Sequence, residues 1–328
     1  MSKVYFLKDF SKLKQKTENL LKGFYLPGFS VVTKIHFGEP GNQFAFTAND
    51  IRPIIKALAG NSLKAILLDT PVLYSSPRNS VEGYCQVVKE KGYDKLADFI
   101  ISDRFAKIKT KDFMAEVSQE LIEAKNVLVI SHVKGHICSG FGGAIKNLGM
   151  GGVSRKTKEI EHTLSKPKFV APCHGCGTCA TFCSVGAIEM VDGKAKINLE
   201  DCIGCSICQE KCSYKCLAPE SVGFDDLLAQ GASAVINNFP EKVFYINFLK
   251  NIVKNCDCAS DPGGIISEDI GILFSDNPVA IDKASVDLVN KANGKDLFKE
   301  IHGKDPLLHL EFAGKYTGKK WDYELIKI

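Results

Sequence analysis

Eight cysteines lie between residues 173 and 212, in two copies of one spacing. Cys173, Cys176, Cys179 and Cys183 form the first run, and Cys202, Cys205, Cys208 and Cys212 the second, each 29 residues after its counterpart. Three thiolates three residues apart on a tightly wound loop wrap three irons of a cubane, while the fourth is carried by the next turn toward a second cluster. The spacing therefore predicts two [4Fe–4S] clusters with crossed ligation. Cys173, Cys176, Cys179 and Cys212 hold one, and Cys202, Cys205, Cys208 and Cys183 the other.

Zinc is the competing reading, because Cys-x2-Cys pairs also bind zinc. A zinc ribbon needs only two such pairs, whereas each run here adds a third cysteine two residues on and a fourth after three more. Residues 167–219 resemble a bacterial-type two-cluster ferredoxin, in spacing and in the sequel Cys183-Ser-Val-Gly-Ala-Ile-Glu, where that family has Cys-Pro-x-x-Ala-Ile. Ser184 and Ser213 replace the proline that usually follows the fourth cysteine, and a hydroxyl there can alter the hydrogen bonding that tunes potential. Cys216, one helical turn past Cys212, is read as a small buried residue rather than a stand-in ligand.

The 328 residues suffice for one large domain and a small one. Apolar and charged contents of 45% and 24% are those of an ordinary soluble chain. A net charge of +4, without a Lys/Arg block or interleaved aromatic patch, argues against nucleic acid. The expected partner is a redox protein or a small-molecule electron acceptor. No N-terminal apolar run reads as a signal peptide, and no stretch of 18 uncharged apolar residues predicts a membrane span. Thirteen cysteines, mostly clustered as metal ligands, demand a reducing compartment. A cytoplasmic protein of an anaerobe is expected.

Outside 167–219, short apolar runs alternate with amphipathic stretches. Strands are expected at Lys3–Leu7, Val31–Phe37, Ala65–Asp69, Phe99–Asp103, Val127–His132, Val243–Phe248, Ile270–Phe274 and Tyr323–Lys327. Helices are expected at Lys12–Lys22, Asp50–Leu58, Ser80–Lys91, Asp112–Ala124, Phe141–Leu148, Asp225–Gln230, Pro278–Ala292, Lys295–His302 and Leu307–Lys315. The alternation predicts an α/β fold with a mainly parallel sheet flanked by helices. The Lys- and Glu-rich residues 155–166 read as a lead-in to a small inserted α+β ferredoxin domain. The expected division is an α/β domain in two pieces, 1–166 and 220–328, with the insert at 167–219.

Ligands of open parallel sheets bind beyond the carboxyl ends of the strands. The loops expected there carry Asp69 and Arg78, then His132, Lys134, His136, Cys138 and Lys146, then Cys256 and Cys258, and finally Ser275-Asp276-Asn277. His132, Lys134, His136 and Lys146 are candidates to bind or protonate a substrate, and Cys256 and Cys258 to act as thiol or metal ligands. Each has a structural alternative. The histidines serve equally as hydrogen-bonded imidazoles, Asp69, Arg78 and Asp276 as caps and turn residues, and Cys85 and Cys138 as packing. Gly140, Gly142, Gly143, Gly149, Gly151 and Gly152 flank a short helix whose amides, with Lys134 and Lys146, can cradle an anion. They serve equally in tight turns and close packing. The stretch fits neither the dinucleotide fingerprint nor a Walker A loop.

Residues 125–152 and 254–288 carry the phrases Ser-His-Val-Lys-Gly-His…Gly-Phe-Gly-Gly-Ala-Ile-Lys-Asn and Cys-Asp-Cys…Asp-Ile-Gly-Ile-Leu-Phe-Ser-Asp-Asn-Pro-Val-Ala-Ile-Asp. They resemble the iron–sulfur-centre proteins grouped as domain of unknown function 362. That resemblance implies a cytoplasmic redox role and no particular reaction. Two functions follow as expectations: a reductase-type enzyme that feeds single electrons to a substrate at the rim, or an electron carrier or docking subunit with no substrate site.

Overall fold

A computed structural model describes all 328 residues. Eight strands form one sheet: β1 (Ser2–Leu7), β2 (Val31–Lys34), β3 (Ala65–Asp69), β4 (Asp98–Ile101), β5 (Asn126–His132), β6 (Lys242–Leu249), β7 (Gly271–Ser275) and β8 (Tyr323–Lys327). Their order is β8-β1-β7-β6-β5-β2-β3-β4. Only β7 runs antiparallel to its neighbours; the other seven share one direction. The fold is mixed α/β with a large, mainly parallel sheet.

The central strands are apolar at nearly every position because both faces are covered. Val127 and Val129 of β5 enter one core, while Leu128 and Ile130 enter the other. Helices α1 (Leu13–Leu21), α2 (Ala48–Gly60) and α3 (Val81–Glu90) cover the Leu128 face. The Val127 face is covered by α4 (Ala144–Gly151), α6 (Phe224–Ile236), α7 (Pro278–Asn293), α8 (Leu297–His302) and α9 (Leu308–Thr317), with α5 (Arg155–Leu164) packed on α6. Local chemistry sets the helix starts. Thr47 and Asp50 form a capping box on α2, and Asn277 accepts from the amides of Val279 and Ala280 to open α7 at Pro278.

Three expectations are corrected. Asp112–Ala124 is not one helix: Met114–Ser118 pairs with Phe105–Lys109 as a hairpin, and only Gln119–Glu123 is helical. Residues 155–164 are the helix α5 rather than a lead-in, with Thr157, Lys158 and Glu161 buried. The antiparallel course of β7 puts Ser275, Asp276 and Asn277 at the opposite edge of the sheet from the carboxyl ends of β2, β3, β5 and β6.

Between α5 and α6 the chain builds two small ladders of its own, Pro167–Phe169 with Leu217–Pro219 and Ile188–Val191 with Lys194–Ile197. The second is closed by Asp192 and Gly193, both at positive φ, as a two-residue hairpin turn demands. The 29-residue repeat is visible in the backbone. Gly175 and Gly204, Gly177 and Ser206, and Gly186 and Lys215 are each paired by that offset, and all six have positive φ. No helix is long and apolar enough to cross a membrane.

Candidate functional site

Cys173, Cys176, Cys179 and Cys212 line one small cavity, together with Cys216. Burial pushes Cys208 up to about 12, and so do its neighbours Cys205, Cys202 and Cys183, with Cys179 of the first group also near it. Backbone amides already point at the sulfurs, with Gly175 and Ala195 donating to Cys173 Sγ at 3.4 Å and Ala187 to Cys183 Sγ at 3.2 Å. Cys216 is buried with its Sγ 3.3 Å from that of Cys212. Gly204 has no room for a side chain, since a Cβ there would lie 2.2 Å from the carbonyl of His162.

The second loop is clamped to the α/β body. His162 and Ser165 of the α5 end meet the carbonyls of Ile203 and Gly204 at 2.8 and 2.7 Å. Lys304 donates to the carbonyl of Cys205 at 2.7 Å and pairs with Asp225 at 2.6 Å and Glu210 at 3.4 Å.

Between that loop and the carboxyl edge of the sheet lies a pocket of about 560 Å³. Asp69, Arg78, His136, Lys146, Lys158, His162, Cys202 and Cys258 are among its lining residues. Its charged lining comprises four cations (Arg78, Lys146, Lys158, Lys166) and two carboxylates (Asp69, Glu159). Asp69 is moreover held by buried Lys34 at 3.0 Å and approached by Arg78 at 3.7 Å. Arg78 is also paired with Glu39 at 3.0 Å, so the excess positive charge rests on Lys146, Lys158 and Lys166, and it suits an anion. Burial pulls Lys146 down to about 8 and Lys158 to about 7. Lys158 donates to Thr70 Oγ1, the carbonyl of Pro71 and the carbonyl of Val153 at 2.7, 2.6 and 3.0 Å.

A smaller adjoining recess is shared by His132, Lys134, Lys146, Cys256, Asp257 and Cys258, so residues from β5 and from a distant loop do meet at one rim. They divide the work unequally. His132 donates from Nδ1 to Asp257 at 2.9 Å and from Nε2 to the carbonyl of Lys250 at 2.6 Å, stacked on Phe46. Lys134 is spent on the carbonyls of Phe44 and Asn251 and lies 3.6 Å from Asp257. Burial pushes the Asp257 carboxyl upward, but His132 and Lys134 outweigh it and hold it below the ordinary range. Their side chains thus fasten the Cys256–Cys258 loop and are not free to bind substrate, which corrects the roles expected for them.

Lys146, by contrast, has no carboxylate partner; its Nζ lies 3.7 Å from Cys256 Sγ. Cys256 and Cys258 have their sulfurs within bonding distance, and His136 joins them, with donor atoms all within 4.8 Å. This trio makes a poor metal site. The amides of Cys138 and Ser139 both donate to His136 Nδ1, at 3.3 and 3.2 Å, which leaves the ring proton on Nε2. A cation there would also face the Lys146 ammonium and lack a fourth protein ligand. His132 does not join this trio, because it points into the Asp257 network as a hydrogen-bonded imidazole.

The anion cradle at the N-terminus of α4 is filled by the protein itself. Asp282 accepts from the amides of Ala144 and Ile145 at 2.7 and 2.9 Å, and burial raises it to about 6 against those bonds. Gly143 and Gly151 are required for close packing: a Cβ on either would meet Asp282 Oδ1 at 2.3 Å or Lys34 Nζ at 2.4 Å. Cys138 is buried, as expected for a packing residue. Sequence reasoning missed His36, Lys158, His162 and Asp282. His36 stands two residues past β2 at the same carboxyl edge and could have been found by that rule; Lys158 and His162 were lost with the helix that carries them.

The sequence matches the domain of unknown function DUF362 over residues 31–287, which takes in β2 to β7 and the whole pocket lining. The chain belongs to the DUF362 family. Among solved structures, this DUF362 chain is similar to a Thermotoga maritima protein from a structural genomics consortium, with a TM-score of 0.48 and 11% identity. That likeness covers 88% of this chain and 59% of the other. The lactate racemase apoprotein of Thermoanaerobacterium thermosaccharolyticum is also similar, with a TM-score of 0.34 and 12% identity over 76% of this chain and 50% of that one. This chain therefore spans less than two thirds of the length of either. No curated protein matches it in sequence.

Proposed function

We propose that this protein transfers single electrons through two [4Fe–4S] clusters, held in an inserted ferredoxin-like segment, to a small anionic acceptor in the rim pocket. The observation that supports the reading is the grouping of Cys173, Cys176, Cys179 and Cys212 about one cavity and the nearness of Cys183, Cys202 and Cys205 to Cys208, with Cys202 also in the pocket wall. The clusters would supply one-electron chemistry. Cys173, Cys176, Cys179 and Cys212 would hold the outer one, where Cys176 is exposed, and Cys202, Cys205, Cys208 and Cys183 the one beside the pocket. Lys146 would bind the acceptor's negative charge, Lys158 would add only to the field of the pocket because its three N–H bonds are already taken, and His136 would offer its Nε2–H. A reducing, cytoplasmic setting goes with this reading.

A second reading, an electron carrier or docking subunit with no substrate of its own, draws on one observation. Eight of the fifteen exposed large apolar side chains, among them Phe169, Phe182 and Tyr214, fall within residues 167–219. Such a concentration suits a face that meets a partner protein. The test of the cluster reading is iron and acid-labile sulfide on anaerobically purified protein. About eight of each per chain is expected; zinc, or about four irons, would defeat it. Substrate-dependent reoxidation of the reduced protein, lost in Lys146→Met, separates the enzyme from the carrier.

A further inference from the structure

We propose that Cys256 and Cys258 form a redox-active dithiol that reduces a small anionic disulfide held in the cationic pocket. The proposal rests on the electron-transfer reading only for the resupply of electrons. Four features support it. The two sulfurs lie within bonding distance, with Cα atoms 5.2 Å apart, inside the span a disulfide needs. Cys258 borders the large pocket, and both cysteines border the recess that adjoins it. The Lys146 Nζ at 3.7 Å and the Cys258 amide at 3.3 Å both face Cys256 Sγ, and an ammonium and an N–H stabilise a thiolate there. The loop is held rigid from behind by Asp257, buried between His132 and Lys134.

The chemistry closes without an outside oxidant. The Cys256 thiolate attacks one sulfur of the bound disulfide, whose S–S bond breaks; one half leaves as a thiolate and takes a proton from water. Cys258 then loses its proton and attacks the Cys256 sulfur of the mixed disulfide. The Cys256–Cys258 bond forms and the second half leaves as a thiol. Two electrons have passed from the two sulfurs to the ligand, with one proton from Cys258 and one from water, which had taken up the Cys256 proton when its thiolate formed. Restoring the dithiol takes two electrons and two protons, which two single-electron deliveries can provide.

Charge selectivity makes the idea testable. A thiolate in water repels an anionic disulfide, whereas this pocket should draw it in. Anaerobic protein, reduced and freed of reductant, is mixed with dithiodiglycolate or with neutral hydroxyethyl disulfide, and peptides are mapped by mass spectrometry. One equivalent of dithiodiglycolate should be consumed at this site per chain, at least fivefold faster than the neutral compound, with the Cys256–Cys258 peptide losing two hydrogens. Salt at about 1 M, where screening acts within about 3 Å, should abolish the preference. Cys258→Ser should trap the mixed disulfide on Cys256. Reaction spread over other cysteines, or faster with the neutral compound, overturns the proposal. So does one zinc per chain bound by the reduced protein and lost in Cys256→Ser. Protein that lacks iron yet passes this test would refute the cluster reading alone.

Discussion

Cys183 leaves its own loop to stand with Cys202, Cys205 and Cys208, while Cys212 returns to line the first cavity. On the proposed ligation, Cys183→Ala should remove the cluster assigned beside the pocket and spare the outer one, halving iron from about eight to about four per chain. Cys216→Ala should leave iron unchanged, and loss of iron there but not in Cys212→Ala would shift the register of the second repeat. Asp257 has the opposite character: its work is structural. Removing its charge leaves His132 and Lys134 buried without their carboxylate, so Asp257→Asn should lower stability by about 3 kcal/mol, read from denaturant or thermal unfolding. The cysteine spacing is local and so can be read from the sequence, and the iron count tests the ligation proposed from it. The fate of His132 and Lys134 was not legible there, since their partners Asp257, Lys250, Phe44 and Asn251 lie about a hundred residues away along the chain.

At the scale of the element, β5 and β6 announced themselves through unbroken apolar runs, and α7 through Asn277-Pro278 at its start. The helix α5 did not, because its buried face carries Thr157, Lys158 and Glu161 in place of aliphatic residues. A polar buried face looks like a solvated linker until the body it packs on is known. Glu161 has neither carboxyl oxygen hydrogen-bonded, and burial drives its proton affinity well above the ordinary range. The folded protein keeps that proton while the unfolded chain loses it near pH 4.3. Its stabilising contribution is thus complete below that pH and declines as pH rises toward the folded value, by about 1.4 kcal/mol for each unit between the two. Glu161→Gln carries no such titration. Its stability relative to the parent should rise from pH 5 to pH 8, measured as the shift in thermal midpoint at the two pH values. A constant difference would mean that the carboxyl finds a partner when ionised.

Across the whole molecule, the α/β alternation predicted the sheet but not its one reversed strand. Gly271–Ser275 reads as apolar in either direction, and its orientation is fixed only by its pairing with β1 and β6. That reversal separates Asp276 from the rim, while the fold of α5 and the loop after α8 brings the second cysteine run to it. Lys304 is the fastening at that junction. It is buried, and its single ammonium joins the carbonyl of Cys205 to Asp225 and Glu210, which hold it protonated against the pull of burial. Lys304→Met keeps the length of the side chain and removes the charge. The carboxylate of Asp225, 2.6 Å away and itself buried, is then left uncompensated. Breaking one side of such a pair should cost about 3 kcal/mol or more. Since the lost contact lies on the second loop, the damage should be directional on the proposed ligation: iron released by a chelator should come first from the cluster assigned beside the pocket, with the outer one retained. Equal loss from both, or no change in stability, would show that the second loop holds its place without the clamp.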